Sequence, residues 1–213
     1  PIIYHLMFTL VSWKSKLIAC RSHLLEEKKG ELVSPSQLNE KWFNNRKSPD
    51  LKKIKLLYAG RIRIEKGIFS LLKILKEIKL DFTFTIINPE KFYDKKLEND
   101  KVKIVHFKKD HESLIEIYDE HNVFVLPSYT EGHPQALDES LSRLRPVIIF
   151  PEISHVTRNR EGVFISERNS ESLSNKIKFI MNNHKDIEEK MMSNKFLTKN
   201  FFLNEMTRII TQG

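Results

Sequence analysis

The chain has 213 residues, enough for one domain of about 150 residues and a remainder. Hydrophobic residues make up 40% and charged residues 30%, so enough apolar surface can be buried to offset backbone ordering, which excludes wholesale disorder and fibrous repeats. Lys and Arg number 36 against 28 Asp and Glu, a net charge of +8 that attracts phosphates, nucleic acid or an anionic membrane without choosing among them. Much of the lysine is interleaved with acids, as at 26–29 and 95–103, the pattern of a solvated face. The single Cys20 excludes an intramolecular disulfide and a cysteine-built zinc site, and suits a reducing compartment.

The apolar opening, residues 1–12, carries His5 and meets Lys14 and Lys16, so it falls short of the roughly 20 residues that span a bilayer. It also lacks the charged start of a signal peptide. A chain that begins at Pro1 rather than Met reads as truncated. Next come a polar helical run at 22–29, Gly30, and Glu31-Leu32-Val33 leading into Ser34-Pro35-Ser36. Residues 1–50 are therefore expected to be the close of a preceding domain, ending in a linker at 44–50.

From residue 53 strand and helix patterns alternate. Residues 54–59 form an apolar run ending at Gly60, and Gly67 opens a helix whose Ile68, Leu71, Leu72 and Leu75 recur at helical spacing. Strands are expected at 82–87 and 102–107, a helix at 113–120, and a strand at 123–126 stopped by Pro127. A helix at 135–144, strands at 147–150 and 163–165, and a helix at 170–181 follow. Residues 195–213 read as a C-terminal helix, which leaves 51–194 as the central domain. This alternation predicts an α/β fold with a mostly parallel sheet flanked by helices. Ligands in such sheets bind outside the carboxyl ends of the strands, so the loops after Ala59, Val105, Leu126 and Phe150 are the ones to inspect.

The loop from Gly60 to Gly67 (Gly-Arg-Ile-Arg-Ile-Glu-Lys-Gly) lies between a strand end and a helix start. Glycine lets backbone approach a ligand, and a helix N-terminus offers unpaired N–H groups with partial positive charge. With Arg61 and Lys66 added, the loop suits a diphosphate; an ordinary basic turn is the bland alternative. It is not the Walker phosphate loop, whose Gly-x4-Gly-Lys-Ser/Thr order is absent. The second candidate runs from Pro127 to Glu139. Glu131 sits at its mouth, Pro134 is placed for a first helical turn, and Glu139 lies inside the helix. One carboxylate could contact a sugar hydroxyl and the other a ribose diol; a surface acid plus a helix acid is the bland alternative. A glycosidase pair would leave the basic loop unexplained.

Residues 53–162 resemble the nucleotide-sugar-binding domain of retaining glycosyltransferases with the GT-B fold, the glycosyl transferases group 1. The resemblance rests on Tyr58-Ala59-Gly60-Arg61 with Glu65-Lys66-Gly67, on Val125-Leu126-Pro127-Ser128, and on Glu131-Gly132-x-Pro134 with Glu139 followed by Pro146-Val147-Ile148. It implies a Rossmann-like domain, the C-terminal half of a GT-B fold. It also implies that Gly60, Arg61 and Lys66 hold the donor diphosphate, Glu131 contacts the transferred sugar and Glu139 the ribose hydroxyls. The amides of Gln135, Ala136 and Leu137 could face a phosphate. His106 and Phe107, followed by Lys108, could line the nucleobase pocket; a buried structural role is the other reading of His106. His133 could donate a hydrogen bond to the sugar or stand exposed. Two departures matter: Leu144-Arg145 replaces a glycine turn, so that turn is expected without positive φ, and Ile149-Phe150-Pro151-Glu152 replaces a Gly-Gly-Pro-Glu pattern.

The activity implied is retaining transfer of a glycosyl unit from a nucleoside diphosphate sugar to a hydroxyl. The acceptor, a glycan or lipid-linked hydroxyl, is bound mainly by an N-terminal domain, so this chain alone could bind donor without transfer. No Asp-x-Asp occurs, and Lys and Arg are expected to replace a metal, with no cofactor. The class and charge suit a cytoplasmic protein, peripheral at a membrane. Rival readings are a GT-B-fold nucleotide-sugar epimerase and a basic nucleic-acid-binding module. The second is disfavoured because aromatic residues sit in strand and helix patterns rather than along a basic stripe; no nucleic acid is expected as a partner.

Overall fold

A computed structural model of the chain describes residues 2–15, 17–20, 25, 30–90, 95–106 and 111–211. The polar run at 22–29 therefore lies almost wholly outside the described residues. The chain divides into two compact units, residues 1–39 with 197–213, and residues 40–196.

In the first unit, helix α1 (Ile2–Lys14) leaves Ile2, Ile3, Leu6, Met7, Leu10 and Val11 exposed. Strands β1 (Leu17–Ala19) and β2 (Gly30–Leu32) pair in parallel, Leu17 opposite Gly30. The closing helix α7 (Lys199–Thr211) is tied to residues 36–38 by Ser36 Oγ donating to the Leu197 carbonyl at 2.7 Å and by the Lys199 amide donating to the Leu38 carbonyl at 2.7 Å.

The second unit is built on six parallel strands: β3 (Ile54–Ala59), β4 (Phe82–Asn88), β5 (Val102–His106), β6 (Val123–Leu126), β7 (Val147–Ile149) and β8 (Val163–Ile165). Helices α2 (Ile68–Glu77), α3 (His111–Glu120), α4 (Gln135–Ser142) and α5 (Ser170–Asn182) intervene or follow, and α6 (His184–Met191) comes after α5. The strand order is β5-β4-β3-β6-β7-β8. Taken from β3 as the first, this is 3-2-1-4-5-6, the doubly wound Rossmann arrangement. The inner strands are buried on both faces, which is why β6 and β7 read as unbroken apolar runs. Leu56, Phe84, Val123, Phe124, Val125 and Ile148 form the centre of the core. The winding direction reverses between β3 and β6, and a crevice opens beyond their carboxyl ends.

Helix α4 ends two residues earlier than the pattern predicted, and its turn corrects an expectation. Leu144 takes φ 59°, so positive φ is used, at a leucine. The Leu144 amide donates to the Leu141 carbonyl and the Arg145 amide to the Ser140 carbonyl at 2.9 Å, the two bonds of a Schellman cap. The buried guanidinium groups of Arg143 and Arg145 then bind the segment before β3. Arg143 donates to the carbonyls of Trp42, Asn44 and Asn45 and to Asp119, while Arg145 donates to those of Lys47, Tyr118 and Asp119. The residues read as a linker are thus fastened to the end of α3. The other departure, at Phe150-Pro151, becomes a 3-10 stretch (Pro151–Thr157) with Phe150 fully buried.

Candidate functional site

The loop after β3 is set by Tyr58, a buried strand residue whose hydroxyl donates to the Arg61 carbonyl at 3.0 Å. Among the described residues the Arg61 guanidinium makes no hydrogen bond or ion pair. A 3-10 turn (Ile64–Lys66) follows, and Gly67 ends it at φ 67° and begins α2. A Cβ at Gly67 would run into the carbonyl of Pro127, so the loop after β3 and the loop after β6 meet backbone to backbone. The Tyr129 amide adds a bond to the Glu65 carbonyl at 3.0 Å. Arg168 braces the second loop: it donates to the Pro127 carbonyl, stacks over Tyr129 and Phe150, and pairs with Glu152. That pairing occupies Glu152, whose role the sequence left open, and holds its carboxyl below the usual range.

This contact brings Lys66 and Glu131 together, with Nζ 2.7 Å from Oε1. The buried Ser128 donates to the same oxygen at 2.6 Å, and His155 Nε2 lies 2.9 Å from the Glu131 carbonyl. Glu131 is therefore held from both ends and neutralised by one cation.

Helix α4 begins after Pro134. Gln135 and Ala136 sit at its tip, where first-turn amides lack intrahelical acceptors. Leu137 corrects the sequence reading: its amide donates to the Pro134 carbonyl at 3.1 Å and its side chain is fully buried, so it closes the turn and fills the core. One turn on, Glu139 accepts from the Tyr118 hydroxyl at 2.9 Å, and burial pushes its carboxyl up to about 7. The His133 residue is partly buried and its side chain largely covered, correcting the exposed-loop reading, with Nε2 3.0 Å from Asp138, which also pairs with Arg160. Burial first, then the charges of Arg158 and Arg160, lower its imidazole to about 4. At neutral pH it is uncharged.

Gly60, Arg61 and Lys66 from the first loop, Glu131 from the second, and Gln135, Ala136 and Glu139 from α4 all border one cleft of about 460 Å³. It sits at the switch point between β3 and β6. Lys66 and Glu131 cancel, His133 is neutral and burial favours the uncharged form of Glu139, so Arg61 leaves the cleft net cationic. His106 is a correction in both its readings: it stands exposed at the end of the edge strand β5, two strands from the switch point, and does not border the cleft. Ile87, Pro89 and Leu114 form the apolar wall instead. Phe107 and Lys108 lie outside the described residues. Sequence reading missed Tyr118, which no local motif marks, and the anchoring by Ser128, whose place at a strand end three residues before Glu131 was a usable signal. Among the described residues no group of three or more His, Cys, Asp or Glu is placed to hold a metal, and no helix is long and apolar enough to cross a membrane.

A six-stranded parallel sheet with a cleft at its switch point defines a Rossmann-like α/β domain. The family model of glycosyl transferases group 1 matches residues 40–196, and the chain belongs to that family. No curated protein matches the sequence significantly. Among solved structures, the chain resembles a glycosyltransferase from Rickettsia africae (18% identity, 94% of this chain and 64% of that one, TM-score 0.73). It also resembles a sucrose-phosphate synthase from Thermosynechococcus elongatus (20% identity, 91% and 55%, TM-score 0.68). A third is the Anabaena protein HepE in complex with UDP-glucose (13% identity, 93% and 64%, TM-score 0.71). These likenesses are of fold, and the chain spans between 55% and 64% of the length of those proteins.

Proposed function

We propose that this chain is the donor-binding part of a retaining, metal-independent glycosyltransferase that uses a nucleoside diphosphate sugar. The observation that carries the reading is the net-cationic switch-point cleft bordered by Arg61, Lys66, Glu131 and Glu139 together. Arg61, without a hydrogen-bond or ion-pair partner among the described residues, takes the diphosphate bidentately. Lys66 has three donors, so its ammonium can bridge Glu131 and a phosphate oxygen. Ser128 keeps Glu131 in place while Lys66 is shared, leaving its other oxygen for a sugar hydroxyl. Glu139 accepts from the ribose diol.

As the glycosidic bond breaks, negative charge grows on the departing diphosphate. Fixed cations and the tip of α4 stabilise that charge more in the transition state than in the ground state. In this reading the family resemblance assigns a glycan or lipid-linked acceptor to an N-terminal domain, and the net charge of +8 suits work at a cytoplasmic membrane face.

The test is thermal unfolding with uridine, guanosine and adenosine diphosphate sugars, uridine first because HepE was solved with UDP-glucose. The matching donor at a hundredfold excess over Kd should raise Tm by about 5 °C or more, and Arg61→Ala should remove that rise. A shift that survives the substitution would refute the diphosphate assignment.

A further inference from the structure

Tyr118 has no place in the chemistry above, yet its hydroxyl is the one side-chain donor that the Glu139 carboxyl receives among the described residues. The ring is fully buried, edge-on to Trp42 at 5.6 Å and stacked on Phe124 at 5.8 Å. Three elements thus fix one hydroxyl: the segment before β3, helix α3 and strand β6. The hydroxyl meets Glu139 Oε2 at 2.9 Å, with the Ala136 carbonyl farther off at 3.4 Å.

We infer that Tyr118 is a positioning residue for the donor ribose: fixed by three elements, its hydroxyl holds Glu139 by Oε2 in the place where the carboxylate accepts from the diol. This rests on the reading of Glu139 as the acceptor of the ribose diol.

A protonated carboxyl in this place spends one oxygen as a donor and accepts poorly from two hydroxyls; the carboxylate accepts from both. Burial favours the neutral form first, and the Tyr118 bond opposes it. Tyr118 itself is raised well above its ordinary value by burial and by the Glu139 charge, so it stays a donor throughout. Other charged or titratable groups bordering the cleft are Tyr58, whose phenol burial keeps protonated, Arg61, the mutually compensating Lys66 and Glu131, and His133. His133 titrates near 4, well below Glu139. Binding below neutrality therefore expels the Glu139 proton to solvent, and affinity falls with pH.

The experiment is equilibrium binding of UDP-glucose, ADP-glucose and GDP-glucose, each beside its 2′,3′-dideoxyribose counterpart, between about pH 5.5 and 8.5. Sugar nucleotides are used because both phosphates are esterified and do not titrate in that interval. Wild-type affinity for the ribose donor should fall about tenfold from pH 8 to pH 6, and the dideoxy donor should show no such fall. Tyr118→Phe, close to isosteric, should move the midpoint to higher pH and weaken ribose-donor binding at pH 7 about threefold to tenfold. Glu139→Gln should flatten the profile.

If no sugar nucleotide binds, or wild type binds ribose and dideoxy donors alike, the donor-site reading itself fails. If wild type discriminates but Tyr118→Phe follows the wild-type curve, or weakens both donors equally at every pH, the positioning role alone is overturned.

Discussion

Gly67 occupies the point where the two loops of the cleft touch. Its φ of 67° lies in the left-handed region, and its missing side chain is what lets the Pro127 carbonyl approach. An alanine there carries about 1–2 kcal/mol of backbone strain and must also push the loops apart. Gly67→Ala should therefore lower unfolding stability by more than about 2 kcal/mol, read as a fall in the urea midpoint, and should weaken donor binding through displacement of Lys66. A variant with wild-type midpoint and binding would show that the loops meet elsewhere. Residues such as Gly60, Arg61, Lys66, Glu131 and Glu139 were legible because their signals are local: turn glycines, strand ends and a helix start. His106 was not, because its distance from the cleft depends on strand order. Tyr118 was not, because 21 residues separate it from Glu139, and the meeting of α3 with α4 is tertiary. Leu137 was misread because a first-turn amide can be satisfied by its own N-cap carbonyl.

At the scale of elements, strands β3 and β6 were legible from apolar runs bounded by Gly60 and Pro127, and α2 from its apolar stripe. The ends were less so. Helix α6 was missed because Asn182-Asn183 reads as a stop, and its buried His184 and Met191 declare themselves only in the packed structure. The end of α4 shows two rules in conflict. A C-cap at positive φ favours glycine, yet Leu144 is 3% exposed. Leu144→Gly relieves about 1–2 kcal/mol of strain but deletes a buried leucine side chain, which costs at least the roughly 2–5 kcal/mol of a leucine-to-alanine change. The cavity wins. Leu144→Gly should destabilise by about 1–3 kcal/mol, with the loss visible in chemical unfolding. A stabilised variant would mean that strain dominates the cap and that the leucine packs loosely.

For the folded molecule as a whole, Glu139 ties stability to pH in a direction opposite to the buried histidines. Its carboxyl rises from 4.5 to about 7. A group raised on folding contributes stability that is fully present below its unfolded value and is lost as pH climbs through its folded one. Ionising Glu139 in place thus costs on the order of 3 kcal/mol by pH 8. Burial lowers His121, His133 and His184, so their contribution is present above about 6.5 and is lost as acid protonates them. The two trends oppose each other in wild type. Glu139→Gln separates them, because the histidines are common to both proteins. At about pH 3.5, below the unfolded value, both carry a neutral side chain at 139 in the folded and the unfolded state and should unfold at similar urea concentrations. As pH rises to about 8 the variant should become progressively more stable than wild type, by about 2–3 kcal/mol. A stability difference that stays constant across this interval would mean that Glu139 is solvated in the folded state. The same result would remove the burial that makes its ionisation costly, and with it the reason for donor capture to depend on pH.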